Sequence, residues 1–190
     1  MNIIKRAIYN KLFKSEQIMS DYYYDLWYKS GKKTADLERE LNKASELQKI
    51  MDHIFYFRRE IIGIEKNRKG TTLLVTKYMD TSNLDIYLHG QLYNNVIPLI
   101  QSSILKRDKS VEIRIDEVQM IDNSIGNGTI AMKYFLEQAR KIGCIRIFGE
   151  LSIEDRNNFE RSIPYYKKFG FDVKLNEEGT KGSINLLMNR

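Results

Sequence analysis

One cysteine, Cys144, is all the chain carries, which excludes an internal disulfide and suits a reducing compartment. It opens an apolar strand pattern and is read as buried packing. Two histidines, His53 and His89, lack any HExxH-like spacing, so no metal is expected. No window of about 18 apolar residues occurs, which argues against a membrane span. The first residues, "MNIIKRAIYNKLFKSEQ", carry charges through their apolar part and lack a signal-peptide h-region. These absences predict a cytoplasmic protein. Only Pro98 and Pro164 interrupt the chain, and repeats and low-complexity tracts are missing.

What is present is a 190-residue chain that is 42% apolar, enough for one packed domain or one domain with an appendage. The net charge of +6 is uneven: residues 1–70 hold 15 Lys/Arg against 10 Asp/Glu, and residues 71–190 hold 16 against 15. A basic first third could favour an acidic partner or nucleic acid. We read it instead as a solvated helical surface, so nucleic acid is not expected as a partner.

The expected organisation is an N-terminal helical region, residues 1–66, and an α/β domain over residues 67–190. Residues 3–13 read as strand or short helix. "SEQIMSDYYYDLWY" reads as a helix capped by Ser15 and stopped by Gly31. A second helix is expected from Thr34 to about Ile62, with Leu37, Leu41, Ala44, Leu47, Met51, Ile54 and Ile61 as its apolar stripe and Gly63 as its end. Its expected role is to form a helix pair packed on the sheet; a dimerising coiled coil is the alternative, and would make the chain a homodimer. Beyond "EKNRKG" the period becomes strand-like. "TTLLVTKYM" and "LDIYLHGQL" flank the turn "DTSN" as a hairpin, "NVIPLIQSSIL" is extended with a break or edge at Pro98, and "VEIRIDEVQMI" follows. Then come a helix (Thr129–Ile142), a strand ("CIRIFGEL"), a helix ("SIEDRNNFERSIPYYKKFG") and two strands ("FDVKL", "SINLLMN"). Such alternation implies a sheet with helices packed against it.

Two details carry the function. In "VEIRIDEVQM", Val111, Ile113 and Ile115 alternate, but the next apolar members are Val118 and Met120. Strand side chains alternate strictly, so a slip at Asp116–Glu117 marks a β-bulge, a device common beside functional sites. A few residues later Gly126 and Gly128 bare the mouth of a helix, whose first N–H groups are unpaired and carry partial positive charge. That arrangement suits a phosphate. A P-loop reading fails because no lysine follows Gly128. The Rossmann fingerprint is met literally by "GNGTIA", with Glu150 about twenty residues on. Against it, a doubly wound first strand should be continuously apolar, whereas "VEIRIDE" alternates with charges.

From Glu112 to Phe171 the chain resembles the GNAT superfamily of N-acetyltransferases. "NSIGNG", Asn123 to Gly128, matches that family's Q/R-x-x-G-x-G/A signature after a bulged antiparallel strand, with Asn in place of Gln or Arg. "SIPYYKKFGF", Ser162 to Phe171, matches its tyrosine-bearing helix ending in a Gly-Phe turn. The resemblance implies a mixed, mostly antiparallel sheet with a splayed, bulged strand and flanking helices, an α+β arrangement. It implies acetyl-CoA as co-substrate, no metal, and transfer of acetyl to a primary amine of a small-molecule or protein acceptor. The diphosphate would lie on the loop Asn123, Ser124, Ile125, Gly126, Asn127, Gly128 and Thr129. The pantetheine arm would lie on the strand edge at Val118, Gln119 and Met120, and Asn158 would be a further coenzyme contact. Tyr166 would be the acid toward sulfur, with Tyr165 pointing elsewhere, to core or solvent. Glu112 would be the base, with Glu117 and Glu150 as rivals. Two readings stand beside this one: a non-catalytic coenzyme- or partner-binding module on the same fold, and a NAD-binding protein.

Overall fold

The computed structural model describes residues 3–90, 97–107, 110–121 and 124–188, with the side chains of residues 3–13 and Ser15 left aside. The chain divides into two units, Met1–Lys49 and Ile50–Arg190. The first is helical throughout its described residues, within a helix α1 that runs Ile3–Tyr56. This corrects the expected pair of helices: Gly31 does not stop the first one. A helix-ending glycine adopts a left-handed conformation, and Gly31 is not among the glycines with positive φ. Left within a helix it costs only about 1 kcal/mol relative to alanine. Nor does Thr34 cap a second helix; its hydroxyl donates to Ser30 O four residues back (3.0 Å). Along the helix Asp25–Lys29 (2.7 Å) and Glu40–Lys43 (2.9 Å) form exposed ion pairs at helical spacing.

The second unit is built on one eight-stranded sheet, ordered β1-β2-β3-β4-β5-β6-β8-β7. Its strands are β1 Glu60–Lys66, β2 Thr72–Met79, β3 Leu84–His89, β4 Leu99–Arg107, β5 Ser110–Gln119, β6 Cys144–Leu151, β7 Asp172–Leu175 and β8 Gly182–Leu187. Residues 60–66, expected at the end of the helical region, are thus a sheet edge rather than helix. Here "EIIGIEK" pairs with β2 through a register shift between Ile61 and Gly63. The hairpin about "DTSN" forms as β2–β3, and Asp80 ties its turn by accepting the N–H groups of Ser82 (2.7 Å) and Asn83 (2.8 Å).

Among the described residues every pairing is antiparallel except β5–β6. A parallel pair needs a crossover, and helix α2, Asn127–Lys141, provides it. A sheet with a single parallel pair contradicts the doubly wound architecture, so the Rossmann reading falls on topology. A 3-10 turn, Ile153–Asn158, then leads into helix α3, Phe159–Lys168. Ala131, Met132, Phe135 and Ala139 of α2 pack with Leu84, Ile86, Ile100, Ile113 and Ile147 of the sheet in one buried core. That explains the alternation in β5: Ile113 and Ile115 face the core, whereas Arg114 lies on the exposed face, where its Nε donates to Asp116 Oδ1 (2.7 Å) and Ser103 joins the other oxygen (2.6 Å).

Candidate functional site

The slip in the β5 sequence is a bulge. Gln101 pairs with Glu117 and Ser102 with Ile115, so the backbone of Asp116 has no register partner on β4. Beside it β3 and β4 also part, and Ser102 donates its N–H to Asp85 Oδ1 (3.0 Å) and its hydroxyl to Leu84 O. On the other side, β5 follows β6 only from Val111↔Cys144 to Ile115↔Gly149. From Asp116 onward β5 pairs with β4 alone, so the two parallel strands open where the bulge begins. Gly149 stands at that fork: a Cβ there would lie 3.0 Å from Ile115 O and 3.2 Å from Ile184 Cδ1. Glu117, Val118, Gln119 and Met120 follow the fork directly, with Glu117 and Gln119 exposed and Val118 and Met120 half-buried.

The glycine loop comes next. Ser124 (φ 71°) and Gly126 (φ 94°) both adopt the left-handed conformation, which turns successive backbone amides toward one side. Gly126 is the N-cap of α2, and the first ladder bond of the helix runs from Ile130 N–H to Gly126 O (3.1 Å). The N–H groups ahead of Ile130 are those a helix leaves without ladder partners. Ile125 and Asn127 turn inward and are buried; Asn127, 2% exposed, has its side chain near Asn67 Nδ2 and Ile121 O (3.5 Å each). The Asn127 side chain is thus engaged within the fold. Gly128 and Thr129 are half-buried in the first turn. Asn123 lies outside the described residues.

Tyr165 was missed as a contributor here. Its hydroxyl donates to Gly128 O (2.9 Å), and its ring would stand 3.0 Å from a Cβ on Gly128. Its ring packs against the core, as expected, but its hydroxyl also fixes the first turn of α2 to α3, together with Lys168 Nζ, which donates to Thr129 Oγ1 (3.0 Å). Burial raises the Tyr165 phenol above its usual range. Tyr166, one residue on, is 6% exposed and stacks edge-on against Phe171 (5.5 Å between centroids). Burial first, and then the charge of Asp155, push its pKa up to about 12. Its hydroxyl makes no hydrogen bond within the described residues.

The carboxylates are scattered. Glu112 lies inside the sheet between Leu105 and Arg146, with its Oε2 buried, without a hydrogen bond, and 3.9 Å from Arg146 Nη1. Glu117 is at the fork. Glu150 ends β6 and, with Ser152, Glu154, Lys181 and Ser183, lines a cavity of about 370 Å³ between the end of β6 and the start of β8. Asn158, at the end of the 3-10 turn, is exposed, and its side-chain oxygen accepts from Arg161 in the first turn of α3. Cys144 is buried and its thiol donates to Arg146 O (3.1 Å). Among the described residues no three His, Cys, Asp or Glu side chains converge as metal ligands, and no described helix is long and apolar enough to cross a membrane.

No protein-family model matches the chain. It is 24% identical over 158 residues to the uncharacterized protein YocC of Bacillus subtilis (strain 168), covering 80% of this chain and 93% of YocC. Among solved structures, the GNAT domain of S. lividans PAT matches 66% of this chain and 96% of its own, with 11% identity and a TM-score of 0.51. Arabidopsis thaliana Naa50, in complex with the bisubstrate analogue CoA-Ac-MVNAL, matches 55% of this chain and 72% of its own, with 18% identity and a TM-score of 0.44. With a bulged strand, a parallel fork and a glycine-mouthed crossover helix in that order, the chain has the fold of the GNAT superfamily of N-acetyltransferases.

Proposed function

We propose that the chain moves an acetyl group from acetyl-CoA to a primary amine by direct attack. The observation that carries this reading is the β5–β6 fork, which opens at the Asp116 bulge immediately before the glycine-mouthed end of α2. The donor set fits an acyl-coenzyme: amides turned by Ser124 and Gly126 suit the diphosphate. The β5 edge at Val118 to Met120, released from β6, suits the amides of the pantetheine arm. When bound, acetyl-CoA supplies an activated thioester carbonyl.

The chain's residues then divide the work. A backbone N–H of the freed β5 edge polarises the carbonyl and stabilises charge on its oxygen as the amine adds. Glu117, exposed beside that edge, takes the amine's proton through water; Glu112, half-buried beside Arg146, is the less accessible base. The new C–N bond forms, the C–S bond breaks, and Tyr166 gives its phenolic proton to the departing sulfur. Its elevated pKa keeps that proton in place at neutral pH. The acceptor enters by the cavity at the end of β6, where the two carboxylates of Glu150 and Glu154 against the one ammonium of Lys181 leave a net negative lining that favours a cation over an anion.

A coenzyme-binding module without transfer is the second reading, favoured by the burial of Tyr166 in the core. Thermal denaturation with acetyl-CoA, CoA, NAD and ATP in parallel tests the coenzyme, because a ligand of the folded state raises the melting temperature by mass action. Stabilisation by acetyl-CoA and CoA is expected. Stabilisation by NAD or ATP alone refutes the reading, and coenzyme release with a panel of primary amines separates enzyme from module.

A further inference from the structure

The glycine loop carries no charged side chain between Ser124 and Thr129, yet a basic turn is tied to it. This is the β1–β2 turn, Asn67 to Gly70, which reaches the loop from nearly 60 residues earlier in the chain. Asn67 closes the turn by accepting the N–H groups of Lys69 and Thr71 with its side-chain oxygen (3.0 Å each). Its amide nitrogen lies 3.5 Å from Asn127 Oδ1. Both asparagines are buried, at 6% and 2% exposed. Next to them, Arg68 N–H donates to Ile125 O (2.8 Å). The turn is thus fastened to the loop by its backbone and by a buried side-chain pair.

The Arg68 side chain lies across Gly126, where a Cβ would stand 3.4 Å from Arg68 Cγ. Its guanidinium has one hydrogen bond within the described residues, a long one to the neutral Ser124 O (3.4 Å), and no ion pair among them. A guanidinium offers five donors in a planar fork matched to phosphate, and charge-assisted bonds of this kind are about twice as strong as neutral ones. One long bond to a carbonyl leaves most of that capacity unused, beside amides aimed at an anion.

We propose that Arg68 is a phosphate-binding residue of the coenzyme site, contributing from the β1–β2 turn the full positive charge that the loop itself lacks. This deepens the acetyl-CoA reading and rests on it. In this arrangement Gly126 serves two ends: it holds the left-handed cap of α2, and it leaves room for the arginine stem to cross the loop. The guanidinium exchanges Ser124 O for two phosphate oxygens when the coenzyme arrives.

Titration calorimetry of the full chain with acetyl-CoA tests this with three variants. Arg68→Met keeps an unbranched stem over Gly126 and removes the charge; Arg68→Ala removes both; Arg68→Lys keeps charge without the fork. Loss of a charge-assisted pair predicts a Kd raised about 10- to 100-fold in both Arg68→Met and Arg68→Ala, with a smaller rise in Arg68→Lys. Wild-type affinity should also fall more steeply with salt than that of Arg68→Met. If Arg68→Met binds as tightly as wild type, Arg68 merely packs on the loop and the proposal is overturned. If the wild-type chain itself binds no acetyl-CoA, the coenzyme reading fails and this proposal fails with it.

Discussion

Tyr166→Phe separates chemistry from packing, because the structure gives the hydroxyl nothing to do in the fold. The ring is 6% exposed and packs edge-on against Phe171; phenylalanine keeps that contact. The hydroxyl has no hydrogen bond within the described residues, so its removal should change stability by about 0.5 kcal/mol at most and the melting temperature by less than about 2 °C. If the phenol protonates the leaving sulfur, turnover should fall by about 100-fold or more. Affinity for acetyl-CoA should stay near the wild-type value. The pH dependence follows from the same proton. The folded pKa of about 12 lies above the ordinary value near 10, so the folded state holds the proton more tightly. Its stabilising share is complete below pH 10 and is lost as pH rises from 10 to about 12, a loss the phenylalanine variant should not show. Thiol release from acetyl-CoA, followed colorimetrically beside a melting curve, reads both quantities. Unchanged turnover would refute the acid role, and a melting temperature lowered by many degrees would mean that the hydroxyl supports the core.

Two further outcomes follow from buried groups. His89, 3% exposed and 2.9 Å from Thr76 Oγ1, has its pKa pushed down to about 3, by burial first and then by Arg59 and His53. The unfolded chain takes up this proton near pH 6.5, so stability should be complete above that value and fall toward pH 3, by several kcal/mol at order of magnitude. Urea unfolding across this range should show a flatter acid limb in His89→Gln, and identical limbs would contradict the argument. At the fork, Gly149→Ala would bring a Cβ within 3.0 Å of the Ile115 carbonyl, which the ladder holds in place. Overpacking of this kind should cost about 1–3 kcal/mol, and an unchanged melting temperature would mean that the β5–β6 fork is looser than described.

The parts of the fold legible in the sequence were those with a local cause. Alternation in "VEIRI" and its slip at Asp116 located the bulge because side-chain parity along a strand is strict. Gly126 and Gly128 marked the mouth of α2 because side chains are stripped there, and the left-handed cap that Gly126 forms is a conformation few other residues tolerate. Gly31 misled for the same reason: sequence cannot tell a glycine at a helix end from one inside a helix, when the difference is a single φ angle and about 1 kcal/mol. Pairings across long stretches of chain left no local trace. Asn67 and Arg68 meet the glycine loop across nearly 60 residues, and no periodicity encodes that. Tyr165 and Tyr166 are neighbours in sequence but about 100° apart around α3. That angle sends one hydroxyl to Gly128 O and the other ring into the core, and only the packing of α3 decides which.

The central claim is that the amides around Gly126 and Gly128, beside the opened end of β5, receive the diphosphate of acetyl-CoA. Titrating ¹⁵N-labelled full-length protein with acetyl-CoA and following the backbone amides reads this directly. The account predicts saturable shifts concentrated at Ser124 to Thr129 and Val118 to Met120. Shifts confined to other parts of the chain, or none at millimolar acetyl-CoA, would contradict it.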